Sequence, residues 1–221
     1  MGKYPDVRIG VIIARNIESN SRSQHVQSML KESENSVRET FDIESLKDHA
    51  VLSRWRSVYE RFGSKPRDFR CSIEALIRSV LNGRGVRSIN RLVDLYNYIS
   101  LKHVIPVGGE DLDKAEGDLF LRTAEGSERF TPLGSSSEES PYPGEVIYCD
   151  SGGNVLCRRW NWRESEKTKL TEETRNAIIV VEGFDNKVSA ALTELEDLVR
   201  KNCGADTKSF VLDRDNREIE W

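Results

Sequence analysis

The chain has 221 residues, 37% of them hydrophobic and 32% charged, with a formal net charge of −4. That length suits one domain with a proper core, and the longest apolar runs, such as 177–181, are far too short to span a bilayer. The acidic balance excludes a global basic field for nucleic acid. The opening MGKYPDVRIGVIIAR lacks a signal-peptide layout because Asp6 and Arg8 interrupt any apolar stretch, so a cytoplasmic location is expected.

In chain order, Val7, Ile9, Val11 and Ile13 alternate across residues 6–15 and predict a short strand. Residues 16–28 are polar and turn-like. Met29, Leu30, Val37, Phe41 and Leu46 predict a helix over 28–49, and Trp55, Val58, Tyr59 and Phe62 another over 51–62, ended by Gly63. After a Lys65-Pro66 loop, Ser72 is the expected N-cap of a helix running to Leu81 and stopped at Asn82-Gly83. A further helix over 88–101 runs into a Pro-Val-Gly-Gly turn and an acidic Asp-Leu-Asp, in which Asp111 and Asp113 read as loop-locking turn residues.

Beyond Gly117 the pattern changes to strands over 119–122, 129–132, 145–150 and 155–157, with a mobile surface loop expected at 134–144. Asp150-Ser-Gly-Gly-Asn154 predicts a hairpin turn. An apolar strand over 176–184, an amphipathic helix over 187–202 and a last strand over 208–213 close the chain. Helices followed by short strands predict an α+β fold, with helices packed on a largely antiparallel or mixed sheet, in a single domain over 1–221.

Two blocks invite chemistry. In the 88–101 helix, Asn90, Asp94 and Asn97 share one stripe, where poor helix formers either converge on a ligand or form a solvated face. Arg158-Arg159-Trp160-Asn161-Trp162-Arg163-Glu164 interleaves indoles with guanidiniums, which suit a carboxylate, a phosphate or a nucleobase. The competing reading is strand alternation, with Trp160 and Trp162 in the core and Arg159, Asn161 and Arg163 toward water. Local basic patches comprise Arg54, Arg56, Arg61, Lys65, Arg67 and Arg70, and Arg158, Arg159, Arg163, Lys167 and Lys169. Cys71, Cys149, Cys157 and Cys203 show no Cys-x-x-Cys spacing and are expected to be reduced. His25, His49 and His103 are isolated, so neither a metal nor another cofactor is expected.

The run VDLYNYISL, its proline turn and DLDK, then GDLFLRTAEGSERF, resembles the tRNA-editing domain of the bacterial-type phenylalanyl-tRNA synthetase beta subunit. There a Val-Asp-x-x-Asn-Tyr helix leads to a Pro-Leu-His-Ala turn, an Asp-x-Asp-Lys and a strand entering Arg-x-Ala-x-x-Gly-Glu. The resemblance covers about residues 54–184. It implies that fold in free-standing form and hydrolysis in trans of the ester of a mischarged tRNA, with the aminoacylated 3′ end as partner and the amino acid in a pocket. Asn97 matches the family's pocket asparagine, Gly108 stands in place of its histidine, and Glu164, Glu166, Glu172 and Glu173 are candidates for its acidic residue. The resulting catalytic candidates are Asn97 and Glu164. The substrate-binding candidates are Asn90, Asp94, Gly108, Gly109, Arg159, Trp160, Asn161, Trp162 and Arg163. A non-catalytic module holding tRNA, an amino acid or a nucleotide, and an enzyme acting on a small amino-acid derivative, are the alternatives.

Overall fold

The computed structural model describes residues 3–18 and 22–221, so residues 19–21 of the expected turn-like stretch lie outside it. In chain order its elements are β1 (Arg8–Arg15), α1 (Gln24–Thr40), α2 (Ala50–Arg61), α3 (Ser72–Leu81), α4 (Arg91–His103), β2 (Val107–Asp111), β3 (Leu119–Thr123), β4 (Val146–Asp150), β5 (Val155–Arg158), β6 (Arg163–Glu164), β7 (Ala177–Gly183), α5 (Lys187–Cys203) and β8 (Asp206–Leu212). The strands form two antiparallel sheets of order β2-β7-β1-β8 and β3-β4-β5-β6, and the fold is α+β.

β1 is central in the first sheet and buried on both faces, which is why its sequence runs Ile-Gly-Val-Ile-Ile-Ala almost without a polar break. Ile12 and Ala14 join α4 and α5 in one core, while Ile9, Val11 and Ile13 join α1, α2, α3 and Trp160 in a second. Gly10 lets α5 settle onto the strand, because a Cβ there would stand 2.9 Å from a Leu192 methyl. The second sheet is a meander with its own small cluster of Phe130, Ile147, Cys149 and Val155.

Several local expectations shift. α1 begins at Gln24 under an Ser23 cap and ends at Thr40, and only a 3₁₀ turn (Leu46–Asp48) follows before α2. Ser72 is the first residue of α3 and Cys71 its N-cap. The Pro-Val-Gly-Gly stretch, read as a turn, is the start of strand β2, and Asp111 then caps a 3₁₀ turn by accepting from the Asp113 amide at 3.1 Å. Residues 129–132 form isolated bridges and no strand. The loop expected at 134–144 is pinned by Glu139, which pairs with Arg158 at 2.6 Å.

Candidate functional site

A cleft of about 760 Å³ opens between the two sheets. Its floor is one face of the first sheet. Period-2 alternation brings Gly108 and Glu110 of β2, Ile178, Val180 and Glu182 of β7, and Ile9 and Val11 of β1 to that face, in register across the strands. Its roof comes from the second sheet, with Leu119 to Arg122, Tyr148, Cys157 and Glu164, and from Trp160 and Asn161 beyond β5. Residues 217–221 complete the wall, and Ser72 reaches it from the first turn of α3 with its hydroxyl buried and unpartnered.

Three strand-borne glutamates, Glu110, Glu164 and Glu182, face this space, with Glu218 and Glu220 on its C-terminal wall. Glu110 accepts from the Thr168 hydroxyl at 2.5 Å and shares a hydrogen bond with Glu164. Two carboxyl groups hydrogen-bond to each other only if one keeps a proton. Burial, followed by the Glu164 charge, pushes Glu110 well above the usual carboxylate range and makes it the proton holder, and burial raises Glu164 too. One Glu164 oxygen, Oε2, is buried with no partner, and the other lies 2.9 Å from where a Cβ on residue 108 would stand. Gly108 therefore makes the room that this carboxyl occupies.

Glu182 is held differently. Its Oε1 accepts from the Tyr148 hydroxyl at 2.5 Å and the Trp160 indole at 2.7 Å, and its Oε2 from the Asn161 amide at 2.7 Å. Tyr59 donates to the Asn161 carbonyl at 2.9 Å and fixes that amide. Burial raises Glu182 to about 6 against the opposing pull of these donors. The folded state thus binds the proton more tightly than the unfolded chain. Its contribution to stability is complete below the ordinary carboxylate pKa and is lost as pH rises through about 6. Glu182→Gln cannot ionise. Between about pH 4 and pH 7 the stability difference between variant and wild type is expected to move by ~2 kcal/mol in the variant's favour, read from urea unfolding at each pH. A difference independent of pH would show an unperturbed Glu182.

A B3/4 domain model matches residues 54–200. The chain belongs to the B3/4 domain family. It is similar to the phenylalanine–tRNA ligase beta subunit of Vibrio parahaemolyticus (42% identity over 95 residues, 43% of this chain and 12% of that one) and of Leifsonia xyli (31% over 109 residues, 49% and 12%). The beta subunit of Thermococcus onnurineus is 25% identical over 158 residues, 60% of this chain and 27% of that one. The chain thus spans about an eighth to a quarter of these relatives. An N-terminal fragment of the Pyrococcus horikoshii phenylalanyl-tRNA synthetase beta subunit superposes with a TM-score of 0.48 at 19% identity, over 96% of this chain and 52% of that one.

Within this B3/4 domain the structure brings Gly108, Gly109, Trp160, Asn161 and Glu164 to the cleft. The other candidates lie elsewhere. Asn90 is the N-cap of α4, accepting from the Val93 amide at 2.9 Å, and Asp94 accepts from the Ser88 hydroxyl at 2.5 Å and the Ile89 amide at 3.0 Å. Their polar stripe staples the start of α4. Asn97 is buried on the same stripe and outside the cleft wall, whereas its neighbour Tyr96 feels the site: burial, then the charges of Glu164 and Glu110, push its phenol up.

The Arg-Trp block is the tight connection from the end of β5 into β6 and not a cationic lining. Arg159 and Trp160 turn the chain with φ of 46° and 67°, a left-handed geometry costly for such residues. Arg158 and Arg159 converge on Glu145 at 2.6 and 2.8 Å, both nearly sealed from solvent. Arg159 also stacks on Phe69 and Trp162, and exposed Arg163 donates to the Leu133 carbonyl at 3.1 Å. With Lys167 on Glu116 and Lys169 on Glu166, four of the five cations of the second basic patch are spent on ion pairs. Of the four acidic candidates only Glu164 reaches the cleft. Glu172 and Glu173 are exposed on a loop.

Glu110 and Glu182 were missed from the sequence. The available signal was a lone acid on the buried face of an apolar strand, where Ile178, Val180 and Glu182 share one side. Cys71, the N-cap of α3, is pushed up to about 12 by burial and stays a thiol. Among the described residues no group of three or more His, Cys, Asp and Glu is arranged to hold a metal ion, and no helix is long and apolar enough to cross a membrane.

Proposed function

We propose that the cleft receives the aminoacyl end of a charged tRNA and hydrolyses its ester in trans. The observation that carries this reading is the Glu110–Glu164 pair, two cleft-lining carboxyls that burial raises and that share one proton, with the Cys157 thiol beside Glu164. Family membership and the similarity to phenylalanine–tRNA ligase beta subunits support the substrate class.

An aminoacyl ester is already activated, so the protein needs to place water and manage two protons. Glu164, as the carboxylate, takes a proton from water while the water oxygen adds to the ester carbonyl. When the C–O bond to the ribose breaks, the pair returns a proton to the leaving hydroxyl, and it ends with the single proton it began with. Glu182 presents negative charge to the substrate ammonium through Oε2, which has only one donor, Asn161. The apolar floor of Ile9, Val11 and Val180 accommodates the amino-acid side chain.

Gly108, standing where the resemblance places a histidine, favours a second reading in which the same amine-bearing ligand is held without reaction. Gly108→Ala bears on both. Its Cβ would meet the flexible end of Glu164, so stability is expected to stay within ~1 kcal/mol. Displacing that carboxyl should cost roughly tenfold or more in turnover. A thermal melt and a kinetic assay together test this. The deciding experiment is a deacylation panel of correctly and wrongly charged tRNAs with the purified protein. Turnover of at least one species supports hydrolysis, and saturable binding without release across the panel supports the second reading.

A further inference from the structure

Residues 54–87 hold nine cations, eight of them arginine, against three acids, while the remainder of the chain holds 24 cations against 34 acids. This asymmetry is invisible in a net charge of −4. The structure places three of these cations on α2 (Arg54, Arg56 and Arg61), one on α3 (Arg78) and five on the segments flanking α3 (Lys65, Arg67, Arg70, Arg84 and Arg87). Arg56, Arg70 and Arg78 gather around the fully buried Glu74 at 2.6, 3.8 and 2.9 Å, so one carboxylate faces three guanidiniums, and the buried Nε of Arg70, at 3.8 Å, makes no hydrogen bond. Lys65 and Arg67 precede the helix and Arg84 and Arg87 follow it; all four are exposed and, among the described residues, make no ion pair.

From these observations we infer that the strip along α3 is a phosphate-binding track for the backbone of an RNA whose end enters the cleft. The inference rests on the reading of the cleft as an aminoacyl-tRNA site. A ten-residue helix is ~15 Å long, a span of a few nucleotides, and its first residue, Ser72, lines the cleft. The cleft is lined by five glutamates (Glu110, Glu164, Glu182, Glu218 and Glu220) and Asp118 against Arg122 and Arg217, an acidic balance that suits an amine and favours holding the phosphates of the same substrate outside it. The strip starts at that boundary. Its predominance of arginine, whose planar fork binds phosphate through two bonds and stacks on bases, favours RNA over a membrane surface.

The test is fluorescence anisotropy with labelled, uncharged tRNA, titrated with salt, on the wild type and on the quadruple variant Lys65→Glu, Arg67→Glu, Arg84→Glu, Arg87→Glu. These side chains are exposed and unpaired, so the fold is expected to persist, as circular dichroism would check. Wild-type affinity should fall linearly on logarithmic axes as salt rises. The variant should bind at least tenfold more weakly, with a slope shallower by about 3 for four lost contacts. Equal binding by the two proteins overturns the track. Wild-type binding to phosphatidylserine vesicles without binding to tRNA overturns it as well. Hydrolysis of a small aminoacyl ester by the wild type reports on the cleft separately: ester turnover with unchanged tRNA binding in the variant sinks the track alone, and lost tRNA binding without ester turnover sinks the hydrolytic reading alone.

Discussion

Glu164→Gln is expected to lower aminoacyl-ester turnover by roughly two orders of magnitude or more, the range for loss of a general base. Glutamine has the same shape but takes no proton. It can still accept from the protonated Glu110, so the pair's geometry survives while its chemistry does not. Affinity should change far less than turnover, because Glu182 still supplies negative charge to an ammonium group. Stability should hold or rise, since burial penalises the ionised Glu164 and glutamine removes that penalty. Single-turnover kinetics on the most reactive charged tRNA would measure the effect. Unchanged rates in this variant would remove Glu164 from the reaction and leave the cleft a binding site.

Trp160→Ala should cost ~3–5 kcal/mol of folding stability. The indole is 2% exposed, packs edge-on against Tyr4 at 5.0 Å and Trp55 at 5.5 Å, and donates to Glu182 at 2.7 Å. Truncation removes this packing and leaves a buried carboxyl short of a donor, and these losses overlap. Against a total of ~5–15 kcal/mol the variant sits near the threshold of folding. Trp160→Phe separates the parts: it keeps most of the packing, loses the donor and should cost ~1–2 kcal/mol. It should also raise Glu182 further, because one group stabilising its charge is gone. Urea unfolding of both variants decides the matter. A loss below ~1 kcal/mol in Trp160→Ala would show that the roof of the cleft does not depend on this ring.

What the sequence by itself determined is local. Period-2 alternation in Val7–Ile13, the helical spacing of Ile89 to Ile99 and the Asp150–Asn154 turn each depend on neighbours within a few residues, and β1, α4 and the β4–β5 hairpin appear where those signals put them. The family was legible for the same reason, since its motifs are short contiguous runs between residues 93 and 130. Glu164 was legible only as one of four acids. The tertiary structure decided the rest. Asn90 and Asp94 look like convergent ligands on a helix wheel, but backbone amides claim them, Val93 in the first turn of α4 and Ile89 just before it. The Arg159–Trp160 turn adopts a left-handed backbone that neither residue type announces, and it is held by Glu145, just before β4, and Glu182 of β7. Glu110, Glu164 and Glu182 meet only because β2 pairs with β7 while the second sheet folds over both. Spacing along a chain specifies which face a side chain takes. Which faces then meet is settled by strand register and sheet packing, through pairings as distant in the chain as Ile9 with Leu212.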